Sequence, residues 1–96
     1  MRSTLAVAIG LASIAAALTA SAEPPAGAAA CSGCHPASTR VTSPVPRLAG
    51  RDRAEIVRAM QEFRAGTRAG TVMDRIARGF TDAEIQAIAA WYAEQR

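Results

Sequence analysis

The 96-residue sequence has no lysine, one histidine (His35), two cysteines (Cys31 and Cys34) and four aromatic residues (Phe63, Phe80, Trp91 and Tyr92). Each scarcity excludes something. One histidine and two cysteines leave a tetrahedral Cys/His zinc site one ligand short. A single histidine also rules out two-histidine ligation of one metal within one chain. The positive charge is only a formal +3, and its arginines are spread out and interleaved with Asp and Glu. A nucleic-acid footprint needs a clustered basic patch, so nucleic acid is not an expected partner. No segment alternates polar and apolar residues as a strand would, and no repeat is visible. The fold class expected is all-α.

The longest apolar run, Leu5 to Leu18, falls short of the roughly 20 residues needed to span a bilayer. It follows the basic start Met1-Arg2 and precedes Ala20-Ser21-Ala22, a small-x-small cleavage pattern. These parts predict a secretory signal peptide over residues 1–22, cut before Glu23, and hence a periplasmic protein with no stable membrane insertion. The 74 residues that remain, 23–96, make one small domain. A chain that short buries too little apolar surface to fold well without a disulfide, a metal or a cofactor.

Helical signals fill most of that domain. Ala26 to Cys34 is Ala-rich with Pro25 near its first turn, and Pro36 is the expected stop. Residues 37–50 are rich in Ser, Thr, Pro and Gly and read as a loop, with Pro44-Val45-Pro46 extended. Asp52 opens a helix to Ala65 as N-cap, with Glu55 as capping-box partner and Gly66 as the stop. Ile56, Val57, Met60 and Phe63 share one face of it. A short helical turn is expected over Asp74–Arg78, closed by Gly79. Thr81-Asp82-Ala83-Glu84 is a capping box for the last helix, whose stripe is Ile85, Ile88, Ala89 and Tyr92, flanked by Trp91.

The chemistry lies in Cys31-Ser32-Gly33-Cys34-His35. Two cysteines three apart on a helix lie about one turn apart, so each can add across a haem vinyl group as a thioether. His35, four residues from Cys31, can then offer a ring nitrogen to the iron. C-x-x-C-H is the haem-attachment signature. A Cys31–Cys34 disulfide would close a tiny loop and leave His35 without a role. A thioredoxin-like dithiol needs a strand–helix context that is missing here.

Haem iron takes a second axial ligand, and the internal candidates are Met60 and Met73. Met60 sits on an apolar stripe, where methionine is usually core. Met73 lies at a loop-to-helix junction, free to point at a cofactor, and is the expected ligand. A His35/Met73 pair fills both axial positions and raises the reduction potential, which suits electron transfer.

Cys31 to His35, Pro46-Arg47-Leu48-Ala49-Gly50, Thr71-Val72-Met73, and Thr81 to Ile85 with Ala89-Ala90-Trp91-Tyr92 resemble, in that order, the motifs of a class I c-type cytochrome with one haem c. The resemblance covers residues 23–96. It implies that the Pro46 carbonyl accepts the other N–H of His35, fixing the ring and raising its basicity as a ligand. It also implies that Trp91 packs on the first helix. Residues 71–82 are most similar to the haem subunit of flavocytochrome c sulfide dehydrogenase, which implies a sulfide-oxidising flavoprotein as partner. Two features depart from the family: Pro36 replaces the usual glycine after the haem histidine, and the first helix is short.

The leading expectation is an electron-transfer protein without catalysis of its own. It would serve either as a fixed haem subunit or as a free carrier to other cytochromes or a terminal oxidase. A haem sensor or peroxidase-like enzyme would need an easily displaced Met73.

Overall fold

The computed structural model describes residues 23–96. The expected signal peptide, 1–22, lies outside the described residues. Among the described residues there are four α-helices and no strand: α1 (Ala28–Cys31), α2 (Arg53–Ala65), α3 (Met73–Ala77) and α4 (Asp82–Glu94).

The two long helices begin where the sequence supplies caps. The Asp52 carboxylate accepts the N–H groups of Ala54 and Glu55 at 2.8 and 3.2 Å. The expected reciprocal bond from Glu55 does not form; its carboxylate lies 3.9 Å from Arg51 instead. At α4 the capping box is complete. Thr81 Oγ1 accepts the Glu84 N–H, and Glu84 accepts the Thr81 N–H at 3.0 Å. Those bonds hold the Glu84 carboxyl below its ordinary range. Gly66 ends α2 in the left-handed region, at φ +79°.

The first helix is shorter than its alanines suggest. It is a single turn that ends at Cys31, well before Pro36, and Ser32 to His35 continue as turns. Alanine favours helix but offers little side chain to bury, and one turn is too short to persist without tertiary support. The short helix near Met73 runs over Met73–Ala77 rather than 74–78, so Met73 is its first residue.

The apolar stripe of α4 forms the centre of the core. Ile85, Ile88, Ala89 and Tyr92 are buried there with Ile56 and Val57 of α2 and Ala28 of α1. Burying an isoleucine of this kind contributes about 1.5–3 kcal/mol. Leu48, Met60, Phe80 and Trp91 close the margins. Gly27 enters α1 at φ +86°, and a Cβ there would come within 2.6 Å of Phe80 Cε1. The chain therefore needs glycine both for the turn and for the close approach of the Phe80 ring.

α2 packs on α3 and α4, and α1 packs on α4. α1 and α3 do not touch. The pentapeptide and Met73 are thus carried by separate elements joined through the α2–α4 core.

Candidate haem site

Cys31 ends α1, half-buried, and Cys34 is exposed in the turn that follows. Both thiols are free, so there is no disulfide between them. The Cys31 thiol donates to the Gly27 carbonyl at 3.6 Å. Burial pushes its pKa up, opposed in part by hydrogen bonding to the backbone and to Tyr92.

The His35 N–H donates to the Cys31 carbonyl at 2.9 Å, which folds the turn back on itself. The ring Nδ1 lies 2.5 Å from the Pro46 carbonyl oxygen. A carbonyl can only accept, so Nδ1 carries a proton, and in the neutral ring that tautomer leaves the Nε2 lone pair for a metal. This is the contact the resemblance implied for Pro46, and it leaves the nitrogen a metal needs.

The long loop carrying Pro46 is anchored at several points. Gly50 N–H donates to the Tyr92 carbonyl at 2.9 Å, tying the loop to α4. Arg51 Nε donates to the Arg47 carbonyl at 2.7 Å, and Arg47 Nε donates to the Ala37 carbonyl at 2.9 Å. Arg47 did not stand out in the sequence, because a lone loop arginine reads as a solvated charge.

Tyr92 is the second residue whose role was hidden. Its hydroxyl donates to the Ala28 carbonyl, and Ser32 Oγ lies 2.9 Å away. A phenol has one proton, so Ser32 is the donor in that second bond. The periodicity of α4 marked Tyr92 only as core. Burial raises its pKa, and the Ser32 bond offsets part of the rise. Trp91 stands edge-on to Tyr92, ring centroids 4.8 Å apart, and lines a cavity of about 140 Å³ with Ser32, His35, Pro36 and Leu48.

Met73 stands at the start of α3, half-buried, beside Gly70 and close to where the Phe63 ring packs. Met60 is packed against the core cluster, as its stripe required. Large apolar side chains bracket Met73: Val72 is 50% and Ile76 42% exposed. Val41, on the opposite loop in sequence, is 56% exposed.

These residues fit a haem. Two unbridged thiols at C-x-x-C spacing can form thioethers, and His35 presents a free Nε2. Met73 sits on an element that does not touch α1, and exposed apolar groups beside it suit the faces of a porphyrin. Among the described residues no cluster of three or more His, Cys, Asp or Glu could hold a bare metal ion.

No protein-family model matches the chain. It is 37% identical over 62 residues to the cytochrome subunit of sulfide dehydrogenase from Chlorobaculum tepidum, covering 65% of this chain and 56% of that protein. It is also 37% identical over 62 residues to cytochrome c-552 of Acidithiobacillus ferridurans, covering 65% of this chain and 27% of the relative. The chain thus spans about half the length of the first and about a quarter of the second. Together with the Cys31–His35 motif in an all-helical frame, these matches make the chain similar to c-type cytochromes over the matched residues.

Proposed function

We propose that this chain is a periplasmic monohaem electron carrier, exported by residues 1–22, with haem attached through Cys31 and Cys34 and iron held between His35 and Met73. The observation that carries the reading is the His35 Nδ1–Pro46 bond, which fixes the ring and frees Nε2. When bound, the haem supplies a one-electron Fe(II)/Fe(III) couple. His35 and Met73 would hold the iron, and the α2–α4 core would support the separate elements that carry them.

The similarity to a sulfide dehydrogenase cytochrome subunit supports a finer reading, in which the donor is a sulfide-oxidising flavoprotein. Co-purification from the native periplasm tests it: a complex at low salt is expected. A lone cytochrome at every salt concentration would replace the fixed subunit with a free carrier.

The electron-transfer reading has its own test, expression of the chain with a haem-attachment system. One covalently bound haem by mass, low-spin spectra in both oxidation states and no carbon monoxide binding by the reduced form are expected. Fast, tight carbon monoxide binding would mark an open iron site and favour a sensor or peroxidase-like role.

A further inference from the structure

The loop between the pentapeptide and α2 is crossed by two bonds that run in opposite directions. His35 Nδ1 donates to the Pro46 carbonyl, and one residue further on Arg47 Nε donates back to the Ala37 carbonyl. Residues 35–37 and 46–47 are therefore clasped as a pair of limbs. Inside the clasp, the Ser38 and Ser43 hydroxyls accept the N–H groups of Arg40 and Val45 at 3.1 Å, which are local turns only. Pro36 has no N–H to give, so the limb beyond the histidine is held by its carbonyl side.

Arg47 is placed to do more than occupy the surface. Its side chain is half-buried, its guanidinium closes the clasp, and its own carbonyl accepts from Arg51. The peptide unit between Pro46 and Arg47 contains the oxygen that His35 bonds. Arg47 thus holds both sides of that oxygen: the limb that carries the histidine, and the limb that carries the acceptor. A guanidinium donor makes a stronger bond than a neutral one, and its planar fork loses little freedom in making it.

We propose that Arg47 is a positioning residue for His35, keeping the Nδ1–H against the Pro46 carbonyl and so setting the electron-donating strength of the iron-ligating Nε2. This rests on His35 being the axial ligand, as proposed above. Loosening the clasp weakens the Nδ1 bond, makes the ring a poorer donor and favours Fe(II), so the reduction potential rises. Loss of a positive charge alone acts the other way, because it eases formation of Fe(III). The sign of the shift separates the two causes.

The test uses the holoprotein and its Arg47→Ala variant, read by proton exchange at His35 Nδ1–H in the NMR spectrum and by redox titration. Exchange at least tenfold faster and a higher potential are expected. Unchanged exchange, or a lower potential, overturns the proposal. If Arg47→Ala does not yield folded holoprotein, Arg47→Gln, whose amide falls short of Ala37, is judged on the same two readings. If the wild-type protein itself shows no iron-shifted His35 ring resonance, the ligation reading fails before any variant is compared.

Discussion

The hydroxyl of Tyr92, in the last turn of α4, donates to the carbonyl of Ala28, 64 residues earlier in α1. This bond joins the element that ends in Cys31 to the largest block of core. It also satisfies a carbonyl on a helix of one turn, which has few internal partners of its own. Replacing Tyr92 with Phe keeps the ring but leaves the Ala28 carbonyl and the Ser32 hydroxyl without it. Urea unfolding of the holoprotein at neutral pH should show a loss of about 1–3 kcal/mol.

The same residue predicts a pH dependence. Its folded pKa is raised above the unfolded value of about 10. A raised acid holds its proton more tightly when folded, so its contribution is complete below pH 10 and declines as pH rises through the folded value. Stability should therefore fall above about pH 10. Tyr92→Phe, measured by the same urea unfolding series, should remove that part of the slope, since Tyr92 is the only tyrosine.

Two glycines in the left-handed region should respond differently to alanine. At Gly27 the new methyl would meet Phe80 at 2.6 Å, so both strain and a clash oppose it. At Gly66 nothing lies within 4 Å and only the backbone objects. Thermal unfolding should register a cost of about 1 kcal/mol for Gly66→Ala and at least twice that for Gly27→Ala.

The two methionines separate ligation from packing. Met60→Ala should lower stability by about 2–3 kcal/mol while leaving the haem spectrum intact, as for a core truncation. Met73→Ala should abolish the sulfur-to-iron charge-transfer band of the oxidised form and open the iron to carbon monoxide. Spectra of the two variants side by side decide it: a band that survives Met73→Ala removes Met73 as ligand.

The cap of α2 gives a further measurable quantity. Asp52→Ala removes an acceptor shared by two N–H groups and should cost about 1 kcal/mol. Chemical denaturation at pH 7 reads it directly.

The sequence by itself determined whatever depends on neighbours along the chain. Thr81 and Glu84 are three apart and can cap one another without help. Ile85, Ile88, Ala89 and Tyr92 repeat at the helical period and had to share a face. Cys31, Cys34 and His35 carry their meaning in their spacing. Tertiary structure decided what depends on which groups remain unsatisfied after packing. It shortened α1 to one turn, because alanines supply propensity but little to bury. It left Glu55 beside Arg51 rather than on the Asp52 N–H. It gave Tyr92 a partner in α1 and Arg47 a partner at Ala37, bonds across 64 and 10 residues that no local period encodes. Hydrophobic periodicity reports which face is buried, whereas a hydrogen bond between distant residues exists only once the loops have placed donor and acceptor together.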